Sequence, residues 1–282
     1  MTITSNEPQQ PVTLVLEGGG MRFPAFVGAL RALEEKGLLI EKIVCSGFGS
    51  LVGCLYASGM PPDEMQRAVV EVNPAIFRDF TPGNFRRGKG LFEGRLLEEW
   101  VDGALEGATF GTQLAIAPQV VATDILNYKP VIFTAAEYPD IKISAAVRYS
   151  VGMPWVFTHK RVTLKGQEHV LIDGSLMAGA VAKMLEREGR KTLVLKVVSK
   201  RTLTSLVPGE VNFRKYFLET LNFSLHALEK EFIKGGKWHD TILLYCGDIA
   251  PAKFTLSTHE KRYLLEQGYE QTLKYLEYKW GI

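Results

Sequence analysis

The sequence predicts an α/β fold of three layers, with helices on both faces of a mostly parallel sheet. Two observations carry that prediction. The segments Val12–Leu16 (VTLVL), Thr192–Val198 (TLVLKVV) and Thr241–Tyr245 (TILLY) are near-continuous apolar runs, as strands buried on both faces require. The order strand, glycine turn, helix also occurs twice between Val12 and Gly59, which is the signature of βαβ units.

Residues 1–11 are polar and end in Pro11, which predicts a disordered leader ahead of a single domain over 12–282. The first strand ends at Glu17-Gly18-Gly19-Gly20. A helix follows with Phe26, Leu30 and Leu33 on one face, Pro24 in its first turn and Gly37 as its stop. Ile43–Cys45 is the second strand, and Leu51, Val52, Leu55 and Tyr56 mark the second helix, closed by Gly59. A shorter helix is expected over Asp63–Val72, then a loose loop or cap over Pro74–Gly94 and a helix near Arg95–Leu105. Strands are expected at Gln119–Thr123 and Pro130–Thr134, and a helix at Ile143–Val151. Val162–Leu164 and His169–Ile172 pair as a hairpin across Lys165-Gly166. The last third contains two amphipathic helices, Phe213–Lys234 and Ser257–Lys279.

Composition removes several classes of protein. With 33 Lys+Arg against 31 Asp+Glu, the net charge of +2 over 282 residues offers no footprint for nucleic acid. Three cysteines make no disulfide framework and favour a reducing, cytoplasmic setting. No apolar run reaches the roughly 18 residues of a membrane helix. The N-terminus also lacks the basic-then-apolar build of a signal peptide. The chain holds 27 glycines, and their positions carry the chemistry.

Gly18-Gly19-Gly20-Met21-Arg22 leaves consecutive backbone N–H groups unblocked between a strand and a helix, a nest for a phosphate or for the oxyanion of a tetrahedral acyl intermediate. A dinucleotide site would place glycine where Phe23 stands, although Glu41 could serve as its acid, and a phosphate loop would need a following Gly-Lys-Ser/Thr. A tight packing turn is the plain alternative. The second turn, Ser46-Gly47-Phe48-Gly49-Ser50, has the strand–sharp turn–helix form of a nucleophile elbow. Asp173-Gly174 ends an apolar strand and places a carboxylate on a loop, suited to a general base.

These three motifs, in this order and spacing, resemble those of the patatin-like phospholipases, lipid acyl hydrolases that work with a Ser/Asp dyad. Gly18–Arg22 matches that family's oxyanion motif, and Cys45–Gly59 aligns without gaps on its Gly-x-Ser-x-Gly elbow and the helix after it. Asp173-Gly174-Ser175 matches its Asp-Gly-Gly/Ala motif, and Arg148–Phe157 its Arg-containing helix followed by Pro and an aromatic. The resemblance implies a lipid or acyl-ester substrate, peripheral membrane contact, and no metal or cofactor. It implies oxyanion donors among Gly18, Gly19, Gly20 and Met21, Asp173 as general base, and Arg22 and Phe48 as substrate-binding positions.

The departures matter as much. The nucleophile position is Gly47, which has no side chain and cannot form an acyl-enzyme, so the chain is expected to be inactive by that route. Cys45 replaces the first elbow glycine, Phe23 the last glycine of the oxyanion motif, and Ser175 the third residue of the Asp motif. Ser46 and Ser50 flank the elbow, but only the residue at its tip points into such a site. Cys45 and Cys54 are expected to be buried small hydrophobes, and no histidine has metal-ligand spacing. Glycine at position 47 has two explanations, a substitution made to remove the nucleophile or natural loss leaving a lipid- or protein-binding pseudoenzyme. Cys45 and Phe23, further changes in the same motifs, favour natural loss. The run Arg86-Arg87-Gly88-Lys89 and the aromatic, basic C-terminal helix could meet lipid headgroups, but a solvated loop and a core-packing helix with snorkelling lysines are the expected states.

Overall fold

The structure, a computed structural model, describes residues 11–83, 90–177, 191–198 and 240–282, together with 216, 220 and 223. Residues 1–10 of the expected leader 1–11, the basic run 86–89 and nearly all of the expected helix Phe213–Lys234 lie outside the described residues.

Among the described residues, eight strands form one sheet: β1 (Val12–Glu17), β2 (Ile40–Ser46), β3 (Ala117–Asp124), β4 (Lys129–Phe133), β5 (Lys160–Leu164), β6 (Gln167–Ile172), β7 (Thr192–Val198) and β8 (Thr241–Tyr245). The order is β5-β6-β3-β2-β1-β7-β8, with β4 on β3. The run from β3 to β8 is parallel, and β4, β5 and β6 add antiparallel pairings at one side. The expectation of a mostly parallel α/β sheet therefore holds. β2 starts at Ile40, earlier than its apolar run, because Val12 of β1 pairs with Ile40 and carries the ladder past polar Glu41 and Lys42. The β5–β6 hairpin turns through Lys165 (φ 50°) and Gly166 (φ 79°), two left-handed residues in succession, as a tight two-residue hairpin demands.

Alternation along the central strands sorts the core. Leu14, Leu16, Ile43, Cys45, Leu193 and Leu195 join the main apolar cluster with α1 (Pro24–Glu35), α2 (Phe48–Ala57) and the C-terminal helix, while Val15, Val44, Val121 and Val194 cluster on the other face. Further helices are α3 (Pro62–Glu71), α4 (Arg95–Ala104), α5 (Ile143–Ser150) and α6 (Thr258–Tyr275), which continues as a π-helical turn over Leu276–Trp280. Ser257 and Glu260 form a capping box that starts α6. Leu264, Leu265 and Leu276 of this segment are buried, and Lys261 is buried with its ammonium on the carbonyls of Val70 and Val72. That helix is a wall of the core. Among the described residues, no helix is long and apolar enough to cross a membrane.

The parallel topology places the ends of β1 and β2 side by side, Glu17 beside Ser46. β6 joins β3 only at Thr123 and Asp124, beyond the last β2 pairing at Val121, so its exit lies against the end of β2. Gly174 approaches so closely that a Cβ there would lie 1.8 Å from the Val121 carbonyl oxygen, which excludes any larger residue. Both glycine turns and Asp173 thus meet at one edge of the sheet.

Candidate active site

At the elbow, Gly47 has φ 55° and ψ −142°, a conformation that costs residues with side chains roughly 1–3 kcal/mol. Its N–H donates to Ser150 Oγ at 2.9 Å, and that hydroxyl donates to the Val121 carbonyl at 2.6 Å. The Ser50 hydroxyl donates to the Gly47 carbonyl at 2.6 Å. Gly49 N–H donates to the Gly18 carbonyl at 3.0 Å and Gly18 N–H to the Ser46 carbonyl at 3.1 Å, which stitches the two glycine turns together. The backbone geometry of an elbow is intact, although its tip carries no side chain. A Cβ on Gly47 would lie 3.1 Å from Gly18 Cα and 3.2 Å from Asp173 Oδ1. A side chain at this position would therefore enter between the glycine nest and the carboxylate.

In the nest, Gly18, Gly19 and Gly20 all have positive φ (68°, 88° and 55°). The amides do not all serve the same purpose. Met21 N–H donates to the Pro251 carbonyl at 2.8 Å, and the Met21 side chain is fully buried, so its amide is already committed. The Gly19 and Gly20 amides have no acceptor among the described residues. Of the four amides expected as donors, Gly18 and Met21 are thus committed to backbone carbonyls. Arg22 Nε donates back to the Gly19 carbonyl at 3.1 Å and rigidifies the loop.

Asp173 is 4% exposed. Its Oδ1 accepts the Ser175 backbone N–H at 2.9 Å and the Ser175 hydroxyl at 2.6 Å, and its own carbonyl accepts the Thr123 hydroxyl at 2.7 Å. Burial pushes the Asp173 carboxyl above the usual range, while the Ser175 hydrogen bonds and the nearby Lys196 ammonium pull it partly back. A carboxylate held this way is a better proton acceptor near neutral pH than a solvated one. Lys196, opposite Glu17 in the β1–β7 register, donates to Glu17 Oε1 at 2.7 Å, and both groups are buried. Gly18, Gly19, Gly20, Arg22, Asp173, Ser175 and Lys196 line one cavity of about 40 Å³, room for a few waters at most.

The other expected positions fall as follows. Phe48 is 1% exposed and stacks on Phe23 (5.9 Å between ring centroids, 16° between planes), with Phe157 at 6.3 Å. It belongs to an aromatic core and does not line the cavity; of the two substrate-binding positions, only Arg22 does. Phe23 has φ −51°, in the right-handed region, so its position does not need the glycine found in the family motif. Ser46 Oγ is buried without a partner among the described residues, and Ser50 is spent on the Gly47 carbonyl. Cys45 is buried with its Sγ on the Gln119 carbonyl at 3.3 Å, and burial pushes its thiol well above the ordinary value, as befits an inert core residue.

Three features were not read from the sequence. Ser175 is in sequence only a departure at the third residue of the Asp motif, yet its hydroxyl holds the Asp173 carboxylate. The Glu17–Lys196 pair joins strands distant in sequence, so its only signal was the pair of charges inside two apolar runs. His169 is buried on Asp124 at 2.7 Å. Burial raises the Asp124 carboxyl, but bonds from Asn127, His169 and two backbone amides outweigh it and hold it at about 2, which marks a structural latch between β3 and β6.

An α/β sheet carrying a glycine nest, a sharp strand-to-helix elbow and a buried carboxylate along one edge defines the class of this molecule. The chain belongs to the patatin-like phospholipase family, whose model matches residues 14–185. It is similar to protein YqhO of Bacillus subtilis, itself uncharacterized, at 22% identity covering 93% of this chain and 97% of that one. The uncharacterized NTE family protein Rv1063c of Mycobacterium tuberculosis is 30% identical over 59% of this chain, a segment that makes up 43% of that protein. Among solved structures, VipD from Legionella pneumophila superposes with a TM-score of 0.58 at 15% identity, covering 99% of this chain and 72% of that one, a likeness of fold.

Proposed function

We propose that the chain is a patatin-like lipid acyl hydrolase by construction whose elbow route is closed, so that it binds acyl esters at this site without forming an acyl-enzyme at position 47. The observation that carries this reading is the 3.2 Å approach of a Gly47 Cβ to Asp173 Oδ1. The receiving geometry for a nucleophilic hydroxyl is kept, and the hydroxyl is not. In this reading an ester carbonyl rests its oxygen on the Gly19 and Gly20 amides, and Asp173 serves as general base. The substrate is an acyl lipid, approached from a lipid surface by peripheral contact. Exposed Trp155, two residues from the cavity-lining Met153, and Leu176, next to Ser175, support that approach.

The test is Gly47→Ser, assayed with p-nitrophenyl esters and phospholipid vesicles. The reading expects ester turnover well above that of the unmodified chain, abolished again by Asp173→Asn. A folded but inert Gly47→Ser protein would contradict it. That result would leave the second reading, a pseudoenzyme that serves as a lipid- or protein-binding module, for which the small cavity is the supporting observation.

A further inference from the structure

We propose that the nucleophile of this chain has moved from the elbow to Ser175. The inference rests on the reading of Asp173 and the glycine nest given above. A side chain at position 47 would approach Asp173 Oδ1, and that same oxygen accepts the Ser175 hydroxyl at 2.6 Å. Ser175 also borders the nest, since a Cβ on Gly18 would lie 3.4 Å from Ser175 Cβ and 3.9 Å from its Oγ. It lines the same cavity as Gly18, Gly19, Gly20 and Asp173 and is half-buried, so the hydroxyl is accessible from that space. By contrast, the hydroxyls of Ser46 and Ser50 are enclosed, and Ser50 is already bonded to the Gly47 carbonyl.

The hydroxyl is not needed to shape the turn. Ser175 N–H already caps Asp173 Oδ1 at 2.9 Å, and any residue with an amide could do the same. The hydroxyl is a second bond to that oxygen, at the motif position where the resemblance expects glycine or alanine. The carboxylate oxygen that a side chain at position 47 would approach thus already carries the hydroxyl of Ser175.

The step balances without a cofactor. Ser175 Oγ attacks the ester carbonyl carbon as its proton passes to Asp173, and the carbonyl oxygen becomes an oxyanion on the Gly19 and Gly20 amides. Collapse breaks the ester C–O bond, and the leaving alkoxide takes the proton from Asp173. Water, deprotonated by Asp173, then attacks the acyl-Ser175 ester. The carboxylic acid leaves and the hydroxyl is restored.

The test is covalent capture by a fluorophosphonate ester on the full chain, read by intact mass and by tryptic mapping. Ser175 is the only serine in the tryptic peptide 166–183, whereas Ser46 and Ser50 fall in 43–67, so the site of the adduct is unambiguous. The expected result is one adduct per chain on 166–183, lost in Ser175→Ala and in Asp173→Asn, with p-nitrophenyl ester hydrolysis falling to the uncatalysed background in both. Absence of an adduct on the unmodified chain, or an adduct and hydrolysis unchanged in Ser175→Ala, would overturn the proposal. The variant Gly47→Ser/Ser175→Ala separates the two levels. If it is labelled at position 47 while the unmodified chain is not labelled, the relocated nucleophile is refuted and the reading of the site stands. If both fail to label, both are refuted.

Discussion

Asp173 is a carboxyl whose proton is held more tightly in the folded chain than in the unfolded one, because burial outweighs its hydrogen bonds from Ser175. The sign of its contribution to stability follows. Between the unfolded value, about 3.9, and the raised folded value, the native state binds more protons than the unfolded state, so stability falls as pH rises through that window. Asp173→Asn removes the penalty. Urea unfolding at pH 4 and pH 8 should show the Asn variant gaining on the unmodified protein at the higher pH; an equal difference at both would contradict a raised carboxyl. Gly47→Ser should cost about 1–3 kcal/mol of unfolding free energy, since its φ of 55° strains any side chain. Serine at such a cost is tolerable where it performs chemistry, and glycine relieves it where it does not. At this scale the sequence was informative about motif positions, because Gly18–Gly20, Gly47 and Asp173 are local signals. It was silent on Ser175, since a hydroxyl two residues from a carboxylate declares no role until the turn closes the distance.

At the scale of elements, the loop before α4 and the loop after α5 are held by one buried guanidinium. Arg148 is fully buried, donates through Nε to the Glu93 carbonyl at 2.9 Å and through a terminal nitrogen to the Thr158 carbonyl at 2.8 Å, and lies over the Phe157 ring. Burial lowers it to about 10, with Glu98, Asp79 and Glu93 opposing. Gly94 is required beside it, because a Cβ there would lie 2.2 Å from Arg148 Nε. Asp79 then caps α4 through the amides of Gly94 and Arg95, both at 2.6 Å. Arg148→Met takes the guanidinium from both carbonyls and leaves that of Glu93 with only the Thr158 hydroxyl at 3.3 Å, and should cost about 3 kcal/mol by urea unfolding, with hydrogen exchange of residues 90–96 and 155–158 accelerated more than that of β1. Unchanged stability would contradict the clamp. Within Pro74–Gly94, the described part is no free loop: a short 3-10 helix over Pro74–Phe77 and a Phe80–Phe92 bridge organise it. The sequence showed its glycines and charges but not the distant arginine that orders its end.

For the whole molecule, the C-terminal helix α6 closes the fold by backbone-close packing on α1. A Cβ on Gly268 would lie 1.8 Å from the Ala25 carbonyl oxygen, and one on Gly28 would lie 1.9 Å from that of Leu265. Gly268→Ala should therefore destabilise the protein by about 3 kcal/mol, at the upper end of overpacking costs, and a neutral effect by thermal or urea unfolding would refute this crossing. The fold class was legible because parallel strands buried on both faces leave continuous apolar runs, and because the glycine turns punctuate them. The α1–α6 crossing was not, since its two glycines lie far apart in sequence and each alone looks like an ordinary helix interruption. The same distance hid Pro251, whose carbonyl takes the Met21 amide and so removes it from the donors expected for the site.

The central claim, that the nest, the elbow and Asp173 form one acyl-hydrolase site lacking only its elbow hydroxyl, is tested most directly by one comparison. It is the ratio of kcat/KM for p-nitrophenyl ester hydrolysis between Gly47→Ser/Ser175→Gly and the same protein carrying Asp173→Asn, both verified as folded by circular dichroism. A measurable rate for the first, reduced at least about 10²-fold by the loss of the general base, is the predicted result. An inert double variant, or a rate indifferent to Asp173, would contradict it.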